Sequence, residues 1–256
     1  MLRRVLPPEP IAVSADWSRR TATFSLLLGI IAILVGRSGV VGGLGGVAVL
    51  GAALLAAVLA IGLAARAAVV IWQTGQRGIG RALGGCALAL LALAYPAYLA
   101  IEAAQLPAIA DISTDLASPP AFAASPAARA ARGGTTHGEP AAATREAQRS
   151  AYPAVQPAML DLDANETYDL VLKLVAGRRW RVIEAVPPRG RLGTGHVDAV
   201  ARSRVMGFPE DVTLRIRPEA GQTRVDMRSA SRIERHDIGA NAARIESFVD
   251  DLENAE

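Results

Sequence analysis

The sequence has few aromatic residues, 4% of 256, and only one lysine, Lys173, and one cysteine, Cys86. A lone cysteine excludes a disulfide framework and a thiolate metal cluster. The shortage of lysine beside abundant arginine and alanine reads as the coding bias of a GC-rich bacterial genome. Charge is missing from one region above all. A fifth of the chain is charged, yet the 81 residues from Thr21 to Ile101 carry only Arg37, Arg66, Arg77 and Arg81. An even spread would place roughly 16 charges there. A wholly soluble globular protein and a disordered one are both excluded. The same region has no Asp, Glu or His. Intramembrane proton relays and ion sites are built from those residues, so a pump or transporter is disfavoured for this chain alone.

Three apolar stretches remain, at 22–41, 47–72 and 82–101. Each approaches or exceeds the ~20 residues that cross a ~30 Å hydrocarbon core. The run Gly42-Gly43-Leu44-Gly45-Gly46 is expected to turn the chain between the first two. The glycine pairs Gly42/Gly46 and Gly80/Gly84 are read as loop glycines rather than helix-packing motifs. The first stretch ends in Gly36-Arg37-Ser38-Gly39 without a small-x-small cleavage site, so it reads as a span and not as a removed signal peptide. Arg3, Arg4, Arg19 and Arg20 precede the first span, and Arg66, Arg77 and Arg81 flank the loop between the second and third. The segment after the third span opens with Glu102, Asp111 and Asp115. By the positive-inside rule the N-terminus is cytoplasmic and the C-terminal part lies outside.

The net charge divides the same way. Residues 1–101 hold eight arginines and two acids, a net of +6, while residues 102–256 are slightly acidic at −3. A nucleic-acid binder needs its positive field on a soluble surface, so that class is set aside. The chain is expected to comprise a cytoplasmic tail (1–20), a three-helix transmembrane region (21–101), a Pro/Ala-rich linker (102–143) and a folded domain (144–253). Within the domain, 164–176 reads as a helix capped by Asp163 or Asn165 and ended by Gly177. Strands are expected at 180–186, 195–202, 211–217 and 223–229, the last two joined as a hairpin at Gly221. A last helix covers 240–252. The fold class is thus a three-helix membrane anchor followed by a small α+β domain: an antiparallel sheet of about four strands with helices on one face.

Several short blocks carry a resemblance. These are Asp111-Ile-Ser-Thr-Asp115, Pro119-Pro-Ala-Phe122, Tyr152-Pro153, Gly207-Phe208 and Asp211-Val212. The most specific are Arg224-Val-Asp-Met-Arg-Ser-Ala-Ser-Arg232 and Asp237-Ile-Gly-Ala-Asn-Ala-Ala-Arg-Ile245. Together they resemble the bacterial DUF1499 family over roughly residues 111–252. That family has no assigned biochemistry, so the resemblance implies no catalytic residue. Two positions depart from its pattern: Glu234-Arg-His236 stands where Gly-Arg-Ser is usual, and Glu210 replaces the first of two aspartates before Val212.

Alternation places Thr213, Arg215 and Arg217 on one sheet face and Arg224, Asp226 and Arg228 on one face of the partner strand. One reading is a cross-strand salt-bridge ladder on the solvent side. The other is an anion or partner site built from Arg215, Arg228, Ser229, Ser231, Arg232, Asn241 and Arg244, at the start of the last helix, where free N–H groups favour negative charge. Asp237 is expected to cap that helix. No metal site and no cofactor is expected, because His137, His196 and His236 lack ligand spacing. There is no G-x-S-x-G turn and no phosphate loop. Cys86 is expected to be a packing residue. The expectation is an inner-membrane protein of a Gram-negative bacterium that displays a non-enzymatic binding or assembly domain in the periplasm. Its partners would be the bilayer and an envelope protein. A lipid or small anionic ligand bound by the arginine face is the alternative, and an envelope hydrolase is the third.

Overall fold

A computed structural model describes residues 9–39, 43–189, 193–233, 236 and 238–255. They divide into a helical unit up to Ile101 and a second unit from Glu102 onward, residues 205–207 excepted.

The apolar stretches form α1 (Val13–Ser38), α2 (Gly43–Thr74) and α3 (Ile79–Gln105), each long and apolar enough to cross a membrane. In hydrocarbon a helix satisfies its own backbone polar groups, which leaves packing to the side chains. Here the contacts are made by small ones. Ala15, Ala64, Ala67 and Ala82 form one buried cluster and Ala22, Ala57, Ala60 and Ala89 another. Ser18 Oγ donates to the Ala60 carbonyl at 2.9 Å and Ser25 Oγ to the Ala53 carbonyl at 2.8 Å, tying α1 to α2. A Cβ at Gly85 would sit 2.3 Å from Ser18 Oγ and 2.8 Å from the Arg19 nitrogen, so α3 approaches α1 through a glycine. Gly80 and Gly84 have nothing within 4 Å and are not packing glycines, although they lie inside α3 rather than in a loop. Cys86 packs against the first alanine cluster, as expected. Larger groups such as Leu55, Leu83, Leu91 and Trp72 point outward. At one end of the bundle the chain before α1 pairs with the α2–α3 loop, Ala12 N–H to Arg77 O at 2.9 Å and Arg77 N–H to Pro10 O at 3.0 Å. Asp16 meets Arg81 there at 2.5 Å.

The second unit runs β1 (Asp111–Ser113), α4 (Pro126–Ala131), α5 (Ala142–Ala151), β2 (Ala158–Leu160), α6 (Ala164–Gly177), β3 (Arg181–Val186), β4 (Gly195–Arg202), β5 (Pro209–Glu219), β6 (Gln222–Ser231) and α7 (Ala240–Asn254). The strands form one antiparallel sheet in the order β1-β6-β5-β4-β3, with β2 also on β6. The sheet has six strands rather than about four. The two extra strands are three residues each, too short to show an alternating pattern. The β5–β6 hairpin turns at Ala220 and Gly221, with φ of 51° and 93°. Positive φ at both central residues is the geometry of the tight hairpin turns that match strand twist.

Asp163 caps α6 in a capping box with Glu166. The helix ends one residue beyond expectation. Arg179, not Gly177, takes the left-handed conformation (φ 57°), and the Trp180 and Arg179 amides bond back to Val175 and Ala176. This is a Schellman closure. Gly239 occupies the N-cap of α7, and Asp237, expected in that role, lies outside the described residues. One sheet face presents Val197, Ala199, Val212, Leu214, Ile216, Val225 and Met227 to α6 and α7, whose Val171, Val175, Ile245, Phe248 and Leu252 complete the core. Trp180 stacks on Phe248 at 5.3 Å. On the edge at β1, the side chain of Gln148 on α5 acts as a substitute strand. It accepts from the Ser113 amide at 3.1 Å and donates to the Ser113 carbonyl at 2.7 Å.

Candidate functional site

The opposite sheet face is polar. Strand parity puts His196 and Asp198 of β4, Asp211, Thr213, Arg215 and Arg217 of β5, and Arg224, Asp226 and Arg228 of β6 on it. Asp198, Asp211, Thr213 and Asp226 are fully buried, and Arg228 is nearly so. A carboxylate removed from water is tolerated only beside a cation or several donors, and each of these has them. Asp226 accepts from Arg215 at 2.8 Å and from Arg224 at 2.9 Å. Asp211 accepts two bonds from Arg232, at 2.7 and 3.0 Å, and is met by His137 Nε2 at 2.8 Å. Arg228 grips Asp111 of β1 through Nε and Nη2, at 2.8 and 2.6 Å. Arg217 and Arg224 lie directly opposite each other, a repulsive pairing offset by Asp115, Asp226 and Glu219 within 4 Å.

The expected ladder therefore exists, but it does not face solvent. Residues 102–143, expected as a loosely packed linker, supply β1 and then a strap that crosses this face and returns. On the outward pass the Ala121 carbonyl accepts from Thr213 on β5, the Ala123 amide donates to Asp198 on β4 at 2.8 Å, and Ser125 Oγ donates to Glu184 on β3 at 2.6 Å. Helix α4 turns the chain. On the return Arg132 donates to Asp198 at 2.8 Å, His137 meets Asp211, and the Gly138 carbonyl accepts from Arg228 at 2.5 Å. Phe122 lies under the guanidiniums of Arg132 and Arg228, 5.7 and 5.0 Å from its ring centre, a cation–π arrangement. Hydropathy does not reveal such a segment, because it is held by charge and backbone groups rather than by apolar side chains.

The electrostatics follow from these contacts. Burial pushes the Asp198 carboxyl up, but the neighbouring His196, then Thr213 and the Ala123 amide, more than offset it and hold the group below its ordinary value. His196 Nε2 lies 2.8 Å from Asp198 Oδ1 but off the hydrogen-bond line. At Asp115 burial again raises the carboxyl, and the Ser118 and Ala117 amides with Arg215 and Arg224 bring it below the ordinary value.

The seven residues expected to form one site fall into two groups on opposite faces. Arg215, Arg228 and Arg232 belong to the polar face. Ser229, Ser231, Asn241 and Arg244 lie on the helix side, where Ser229 Oγ donates to Asn241 Oδ1 at 2.7 Å and Arg244 donates to both Ser229 Oγ and Asn241 Oδ1. Arg244 also pairs with Glu210, so the longer acid at that position reaches the last helix. Parity along β6 separates the two groups, since 228 and 232 are even and 229 and 231 odd. The residues not foreseen as part of this network were Asp111, Asp115, Arg132, His137, Asp198 and Asp211. An acid between apolar neighbours, as in Val197-Asp198-Ala199, was the available signal.

The molecule is thus a three-helix, membrane-type unit joined to an antiparallel α+β domain whose charged face is roofed by its own chain. Residues 111–252 match the profile of DUF1499, a protein family of unknown function, and the chain belongs to that family. Neither a curated protein nor a solved structure matches it.

Proposed function

We propose that this protein is a membrane-anchored periplasmic module that binds or helps assemble an envelope partner, and that it does so without catalysis. The observation that carries this reading is the internal pairing of the polar face. Arg215, Arg228 and Arg232 are each held by a carboxylate of the same domain. A face spent on holding its own roof makes a stiff scaffold, and it weakens the alternative of an anion clamped by those arginines. The periplasmic side is supported by Arg19, Arg20, Arg66, Arg77 and Arg81, which gather toward the end of the bundle where the chain before α1 meets the α2–α3 loop.

The test is chemical cross-linking of the full-length protein in native membranes, with captured proteins and lipids both identified. One defined protein captured equally by the wild type and by Arg232→Ala is the expected result. Loss of that capture in a variant that still folds would return the arginines to the binding role, and recovery of lipids alone would overturn the reading.

A further inference from the structure

Within the helical unit, the end where the chain before α1 pairs with the α2–α3 loop is strongly basic. Arg66 of α2 sits between Ala64 and Ala67, which pack on Ala12, Ala15 and Ala82 at that end. Arg77 lies just before α3 and Arg81 in its first turn, while Arg19 and Arg20 fall one turn beyond Asp16 on α1. All five arginines are exposed, and among the described residues no carboxylate pairs with Arg19, Arg20, Arg66 or Arg77. Arg77 and Arg81 line one open cleft of about 530 Å³ with Glu9, Pro10, Ile11 and Gly78. We propose that this cleft binds the phosphodiester of an anionic phospholipid, a headgroup without an ammonium.

Charge sets the class of ligand. The five arginines outnumber the two carboxylates at this end, Glu9 and Asp16, and Asp16 is already committed to Arg81. The surplus is positive, which favours an anionic headgroup over a zwitterionic one. Arg81 supplies the contact. Asp16 takes its Nη1 at 2.5 Å and orients the guanidinium, while Nε and Nη2 have no partner among the described residues. Those two N–H groups form the fork that meets two oxygens of a phosphate. Arg77 is held at the same cleft by its backbone alone, its amide donating to Pro10 O and its carbonyl accepting from Ala12. Its side chain therefore has no part in the fold. Depth favours a lipid over a solute. The Arg20 guanidinium lies 5.9 Å from the centre of the Trp17 ring, and both Trp17 and Trp72 are exposed at this end. Exposed tryptophans at the end of apolar helices mark the level of the headgroups. Farther along the same helices Phe24, Leu27, Leu83 and Leu90 are exposed, an apolar surface for acyl chains that begins where the arginines stop. The inference rests on the membrane anchoring in the proposed function, and on neither its compartment nor its protein partner.

The experiment uses full-length protein in an uncharged detergent. It is titrated with short-chain phosphatidylglycerol, short-chain phosphatidylcholine and inorganic phosphate, and binding is read by native mass spectrometry and thermal unfolding. Saturable binding of the glycerol lipid, about tenfold tighter than the choline lipid, is expected. Arg77→Gln leaves the backbone pairing in place and should weaken that binding about fivefold, whereas Arg66→Gln, outside the cleft, should change it less than about twofold. Arg81→Lys keeps the charge but loses the fork; it should weaken binding about fivefold and serves if Arg77→Gln fails to fold. Equal binding of the two lipids overturns the inference. So does an equal loss in Arg66→Gln and Arg77→Gln, the mark of a diffuse field, or an affinity unchanged in both cleft variants. Inorganic phosphate bound as tightly as the lipid overturns the membrane source. No protein partner enters the readout, so this inference and the proposed partner binding can fail separately. Release of the chain from membranes by alkaline carbonate would instead overturn the anchoring on which both depend.

Discussion

Arg132 shows how much a single side chain carries in a segment with the composition of a solvated tether. Its side chain is 4% exposed and its partner Asp198 is 1% exposed. Removing one member of a buried pair strands the other charge, so Arg132→Ala is expected to cost about 3–5 kcal/mol, measured by urea unfolding of the detergent-solubilised protein. A loss under about 1 kcal/mol would mean the strap does not hold the sheet through this contact. The two depressed carboxyls set the acid limit. Both Asp198 and Asp115 titrate below their ordinary values in the folded protein. Their contribution to stability is therefore complete above the unfolded carboxylate range near 3.9 and is lost as pH falls through the lower folded values. Thermal midpoints should hold steady from neutrality to about pH 5 and drop below about pH 4, with a smaller drop in Asp198→Asn. At this scale the sequence showed which residues are charged but not which are partners. Arg132 and Asp198 lie 66 positions apart, and only the fold brings them together.

Among the elements, the long and strongly patterned ones were legible: three apolar helices, the β5–β6 hairpin, and the helices α6 and α7. Those missed were short or held by polar contacts. Strands β1 and β2 have three residues each, and α4 has six. The helical bundle gives a prediction of its own, because α3 meets α1 at a glycine with no room for a Cβ. Gly85→Val should destabilise the bundle by about 1–3 kcal/mol, the usual cost of overpacking, and lower its melting temperature in detergent. Gly84→Val, one residue away with open space around it, is the control and should behave as wild type apart from a small helix-propensity effect. If the two variants melt alike, the close approach of α3 to α1 is not the contact that holds the bundle.

For the molecule as a whole, the three apolar helices predict resistance to extraction with alkaline carbonate. The arginine asymmetry predicts an active periplasmic reporter after Glu256 and a silent one near Gln76. The reverse pattern would invert the topology and place the domain in the cytoplasm. A chain confined to a bilayer meets copies of itself at high local density, and an open sheet edge is the usual route by which such copies zip together. On the β1 side the outward amide and carbonyl of Ser113 are already occupied by the Gln148 side chain. That amide behaves as a stopper: it ends hydrogen-bond accretion there and lets the protein accumulate in the lipid plane without seeding fibrils along that border.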